Sequence, residues 1–201
     1  TNLATYQMLG GTHTFANNLT IATNGSLIGT GLIEGALTVA PGGQLVPGAP
    51  IGNLDVNGSV ILQGTVNLQI DKSGGIRTSD VVNASGAIFY NGTLNVTDIS
   101  TDLLSAGDRF LLFTGTPYLG AFTTLNLPPL PPGLAWRNNL SVDGSIEVIA
   151  LLQPKFTSIS VSGTSLIFTG TNGTAGANYA VLTATNVITP VANWQSLVTN
   201  Q

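Results

Sequence analysis

The sequence predicts an all-β chain whose short strands stack as rungs of a rod. Two observations predict it. From Gly25 to Val66, short β-branched and leucine-rich segments alternate with glycine turns, and Glu34 and Asp55 are the only charges. The chain as a whole is 43% hydrophobic and only 7% charged, with 25 glycines, so apolar strands and turns leave little else. Disordered chains combine low hydrophobicity with high charge, which is the opposite balance.

The 201 residues suffice for one large or two small domains. A chain of this size buries roughly 70% of its extended surface on folding. The net charge is −4 and only five residues are basic, which excludes the clustered Lys and Arg of a nucleic-acid footprint. The same shortage argues against adhesion to anionic membranes. No stretch approaches the 18 apolar residues of a spanning helix. Cysteine is absent, so disulfides and thiol chemistry are excluded. No signal-peptide pattern is present, and Thr1 suits a mature secreted product. The expected location is extracellular or at a cell surface.

Residues 1–24 read as two or three strands, with Tyr6, Met8, Phe15, Leu19 and Ile21 as apolar anchors. Gly, Asn and Thr there oppose a helix. Leu27, Leu32, Leu37 and Leu45 then recur between glycines that supply turn corners. Sharp turns are expected at Ala40-Pro41-Gly42-Gly43 and Pro47-Gly48-Ala49-Pro50. Asn57-Gly58 and Asn91-Gly92 mark two more turns between alternating strands. Residues 107–125 read as a buried strand, a turn and an edge strand. The segment LPPLPPG, Leu127–Gly133, cannot donate a regular ladder and is expected to cross one end of the rod, with Trp136 plugging that end. Leu140–Ile149 reads as a final strand pair.

Gln153-Pro154 marks a boundary. Beyond it, four strands spaced 8–12 residues apart turn at Ser162-Gly163 and Asn172-Gly173, which suggests a small sandwich. Four strands are few for a closed one, so the module reads as incomplete alone. The expected domains are N-terminal strands at 1–24, the rung stack at 25–152 and a β module at 153–201.

The segments GTGLIEGALTVAPGGQLVPG, LDVNGSVILQGTVNLQID and AGDRFLLFTG, followed by GAFTTLNLPPLPPGLAWRNNLSVDGSIEVI, resemble the passenger repeats of bacterial autotransporter-type proteins. The resemblance covers residues 25–150. It implies a right-handed parallel β-helix, a solenoid, outside a bacterial cell. The residues after Pro154 are similar to the immunoglobulin-like or fibronectin-like modules that end some such proteins. The membrane barrel of true autotransporters is absent from this sequence.

Little chemistry is offered. His13 is the single histidine, and no carboxylate lies within 20 residues of it. It reads as a strand-face or turn residue, since a general base needs an oriented partner. Asp98, Asp102 and Asp108 read as turn caps through Asx hydrogen bonds, with the ligand spacing of a calcium loop missing. Lys72, Arg77, Asp71 and Asp80 fall in one stretch, DKSGGIRTSD, and read as a solvated loop with local ion pairs. Asn-x-Ser/Thr triplets at Asn18, Asn24, Asn57, Asn83, Asn91, Asn95, Asn139 and Asn172 permit glycosylation in a host with the machinery. No catalytic residue, metal site or cofactor is predicted, and the chain does not read as an enzyme.

The expected function is therefore structural: a subunit of a self-assembling surface fibre whose partner is a second copy of itself, joined head to tail. Open rung edges template further pairing, and a module short of a strand accepts one. The candidate polymer interface comprises Asn2, Leu3, Ala4, Thr5, Tyr6, Gln7, Met8 and Leu9 as donor strand, with Trp194, Leu197 and Val198 in the module. The alternative is a monomeric surface adhesin that binds cell-surface or matrix glycans.

Overall fold

A computed structural model describes residues 4–48, 50–152, 154–173, 179–186 and 188–200. The chain is all-β and divides into two compact units, Thr1–Ala150 and Leu151–Gln201.

The first unit begins with β1 (Ala4–Thr14), β2 (Leu19–Ile21), β3 (Gly25–Glu34) and β4 (Leu37–Val39). It continues through β5 (Gln44–Pro47), β6 (Asn53–Asn57), β7 (Val60–Leu62), β8 (Thr65–Ser73) and β9 (Ile76–Ser79). Next come β10 (Val81–Ala84), β11 (Ile88–Tyr90), β12 (Thr93–Asp98), β13 (Arg109–Leu111) and β14 (Phe113–Thr114). It ends with β15 (Tyr118–Gly120), β16 (Thr124–Asn126), β17 (Leu134–Asn139), a one-turn helix α1 (Leu140–Asp143) and β18 (Ser145–Ala150).

Three sheets result. The largest has ten strands in the order β14-β10-β6-β3-β5-β8-β12-β16, with β1 on β3 and β9 on β8. Its pairs are parallel except the β8–β9 hairpin. The second sheet, β15-β11-β7-β4-β2, is parallel throughout. The third, β13-β18-β17, is antiparallel.

Period-two patterning sets the register. In β6 and β8 apolar side chains alternate with polar ones, and the apolar set is buried. A slip of one residue would turn that set outward. Register partners therefore align in ladders. Leu27, Leu45, Val66 and Leu94 follow one another across four strands, all at most 1% exposed. Leu37, Val60 and Ile88 do the same in the second sheet at 0% exposed. Each such side chain contributes about 1.5–3 kcal/mol through burial. One continuous cluster, from Met8 to Val148, forms the core of this unit.

Close approach between neighbouring strands explains several of the glycines. A Cβ on Gly92 would lie 1.9 Å from the Gly64 carbonyl oxygen, and one on Gly64 would lie 2.4 Å from that of Gly43. The turns at these positions sit directly over one another with no room for a side chain.

The strand pair expected over Leu140–Ile149 is corrected. Residues 140–143 form α1, and the antiparallel partners are β17 and β18. Gly144 ends the helix in the left-handed conformation, φ 75°, and its carbonyl accepts from the Leu112 and Phe113 amides. A helix stop that also anchors a distant strand leaves no alternating pattern to read. Within residues 4–24 two strands form, the long β1 and the short β2, in keeping with the two or three expected. β1 runs across a bulge at Gly10-Gly11, where both φ angles are positive.

In the second unit, β19 (Lys155–Ser162) and β20 (Ser165–Thr171) form an antiparallel hairpin turning at Gly163, φ 61°. β21 (Tyr179–Thr183) and β22 (Gln195–Asn200) form a second antiparallel pair. A 3-10 turn at Val191–Asn193 precedes β22.

Candidate functional site

Three places gather polar chemistry. The first is centred on Asp108. The β8–β9 hairpin sets Lys72 opposite Arg77. Both reach Asp108, whose side chain is 0% exposed: Lys72 Nζ at 2.8 Å and Arg77 Nε at 2.6 Å. The Ser105 backbone amide donates to the same carboxylate at 2.7 Å. Lys72 also donates to the Leu103 carbonyl and the Ser105 hydroxyl. Burial alone would raise the Asp108 pKa. The Lys72, Ser105 and Arg77 donors overcome it and hold the carboxyl down at about 2. The local pairing expected within DKSGGIRTSD is thereby corrected: the two cations cross to an acid 31 and 36 residues on. The cluster fastens the β8–β9 hairpin to the 99–108 loop.

The second place is Asp80, also 0% exposed. Its two oxygens accept from the Gly52 and Gln69 amides, each at 2.8 Å. The Asp80 amide donates back to the Gln69 carbonyl. Asp80 thus pins Gly52 to β8. Burial outweighs the two amide bonds and pushes its pKa up to about 6.

The third is a set of side-chain ladders running strand to strand. Asn95 Nδ2 donates to Asn67 Oδ1, and Asn126 Nδ2 donates to Asn95 Oδ1, both at 2.8 Å. Asn83 Nδ2 donates to Asp55, and Thr114 donates to Asn83. Asn57 Nδ2 donates to Glu34, and Asn57 Oδ1 accepts from the Ser85 hydroxyl. Sequence reasoning missed these ladders. A signal was present: T-V-N-L at Thr65, T-L-N-V at Thr93 and T-L-N-L at Thr124 repeat the same tetrad.

Among the described residues, no group of His, Asp and Glu is arranged to hold a metal ion. Asp98 accepts from Ser100 two residues on, an Asx cap, whereas Asp102 accepts from the distant Gly75 amide. His13 lies in β1 and bonds the Tyr6 hydroxyl at 2.7 Å and the Gly10 carbonyl at 3.1 Å. Tyr6 also meets Phe15 edge-on, so Tyr6, His13 and Phe15 form an aromatic cluster beside β1. A groove of about 420 Å³ lies along the largest sheet, lined by Ile28, Val46, Pro50, Asn67, Gln69 and Thr97 among others. Trp136 donates to the Pro128 carbonyl and rests near Phe110.

The predicted interface residues are placed as follows. Asn2 and Leu3 lie outside the described residues. Ala4, Thr5, Tyr6, Gln7 and Leu9 are exposed on β1, and Leu9 is 85% exposed. Met8 is 1% exposed and belongs to the core, so it presents no surface. β1 is also fully engaged with β3 of its own chain, from Ala4 opposite Gly25 to Thr14 opposite Glu34. Detaching it as a donor would uncover Met8 and Leu27. Trp194 is half-buried and donates to the Thr189 carbonyl. Leu197 and Val198 fall within β22.

The chain matches no protein-family model and no curated protein.

Proposed function

We propose that this protein is a non-enzymatic extracellular structural protein, a subunit of a self-assembling surface fibre built on a right-handed parallel β-helix. Several observations support the coil. Strands β2, β4, β7, β11 and β15 pair in parallel and in sequence order. Side chains 28 residues apart meet repeatedly, as at Asn67 and Asn95 or Asp55 and Asn83. Such a spacing suits one turn of a coil per repeat, with each repeat contacting its neighbours. The resemblance of residues 25–150 to autotransporter passengers points the same way.

The observation that carries the assembly reading is β1. It is an 11-residue strand with no charge and no proline, paired on one edge only among the described residues. Natural edges are usually blunted by charge, proline or short length. The Gly10-Gly11 bulge is the one such device here. An edge left this open suits pairing with another chain, and non-closing contacts give filaments. Negative-stain electron microscopy of the purified chain tests the reading. Regular filaments are expected, and isolated particles at every concentration would overturn it.

The groove beside Asn67 and Gln69 favours a second reading, a surface adhesin. Its amides and Thr97 hydroxyl match sugar hydroxyls, and Ile28, Val46 and Pro50 offer apolar contact. A glycan array tests it. Binding that Gln69→Ala abolishes would support it, and an array without signal would overturn it.

A further inference from the structure

The free edge of β1 and the hairpin of the second unit each lack something the other offers. Ala4 donates its amide toward β3, to the Asn24 carbonyl. Backbone alternation therefore turns the amides and carbonyls of Thr5, Gln7 and Leu9 to the unpaired edge. Other edge strands of this unit are poorer templates. β2, β13, β14, β15 and β16 have two or three residues, while β9 and β17 carry Arg77 and Arg137.

The β19–β20 hairpin has the complementary deficit. Among the described residues its sheet holds two strands, and an isolated hairpin is marginally stable in water. Its bulge between Phe156 and Ser158 brings Phe156, Ile159 and Val161 to one face. They are 57%, 61% and 73% exposed. Ser158, Ser160 and Ser162 occupy the other face. Lys155 is the hairpin's only charge, so no like charges would meet across a junction with β1.

We propose that the free edge of β1 in one copy takes the β19–β20 hairpin of a second copy by strand addition. The Phe156, Ile159 and Val161 face then covers the Tyr6, His13 and Phe15 cluster, and the serine face continues the side of Thr5, Gln7 and Leu9. β1 stays in its own sheet and acts as acceptor, which keeps Met8 buried. Strand addition draws affinity from main-chain bonds and specificity from alternate side chains. The proposal rests on the assembly reading and specifies its junction.

The chain has no cysteine, so introduced thiols report alone. Full-length Gln7→Cys/Ser160→Cys is treated with a short bis-maleimide, beside each single variant, with light scattering of the wild type in parallel. The proposal expects a ladder of covalent multimers from the double variant only. It also expects Gln7→Pro, which deletes an edge donor and spares the β3 bonds, to raise the half-assembly concentration about tenfold or more. Cross-linked dimers from Gln7→Cys alone would mean that β1 meets β1, overturning the junction while assembly stands. An internally linked single chain would assign the hairpin to its own β1 and also overturn it. Scattering assemblies with no cross-link would place the junction elsewhere. A wild type of 20.5 kDa throughout would overturn both junction and assembly.

Discussion

Asn95 bridges its neighbours: its side-chain amide donates to Asn67 Oδ1 at 2.8 Å while its own Oδ1 accepts from Asn126. These three residues are register partners on β8, β12 and β16. Replacing the middle member strands a donor and an acceptor. Asn95→Ala is expected to destabilise the chain by about 1–3 kcal/mol, and Asn126→Ala, at the exposed end, by less. Urea midpoints at constant m-value check the order, and equal losses would contradict a ladder.

Asp108 holds two cations, so its loss is asymmetric. Asp108→Ala leaves Lys72 buried without its counterion and is expected to cost about 3–5 kcal/mol. Arg77 is 44% exposed, and Arg77→Ala is expected to cost no more than about 1 kcal/mol. Thermal and denaturant unfolding of both variants check the ranking.

Asp80 and Asp108 drive stability in opposite directions as pH falls. Asp80 has a folded pKa of about 6 against an ordinary 3.8. Between those values the folded chain binds more protons than the unfolded one, so stability rises as pH drops through the window. Asp108 has a folded pKa of about 2. Its contribution is complete above the ordinary value of 3.8 and disappears as pH falls from there toward 2. Stability from this pair therefore peaks near pH 4. Asp80→Asn is expected to flatten the slope between pH 4 and 6 and keep the fall below 4. Unfolding free energies measured from pH 3 to 7 check both limbs.

Gly92 sits where no Cβ fits, 1.9 Å from the Gly64 carbonyl oxygen. Gly92→Ala is expected to cost about 1–3 kcal/mol or more, because the atom it meets is backbone and cannot rotate away. Gly74→Ala is a local control: nothing lies within 4 Å of its Cβ position, though its φ of 60° adds strain of its own. A smaller loss at Gly92 than at Gly74 would contradict the close stacking of these turns.

The sequence carried the all-β class and the turns well, because both are local. Asn57 ends β6 and Gly58 leads on to β7, Asn91-Gly92 lies between β11 and β12, and Gly163 falls within the β19–β20 turn. Contacts between strands were harder to read. Lys72 and Arg77 have acids close in sequence, yet the hairpin aims both at Asp108. The amides of Asn57, Asn83 and Asn95 lie within glycosylation triplets, yet each is spent on a neighbouring strand. Met8 reads as one face of a donor strand, yet register opposite Gly29 buries it. Each depends on a partner that the fold, and not the chain, brings near.

Sedimentation velocity of the wild-type chain across about a hundredfold range of concentration tests the central claim of self-assembly most directly. The account predicts species well above 20.5 kDa that grow with concentration. A single boundary at 20.5 kDa at every concentration would contradict it.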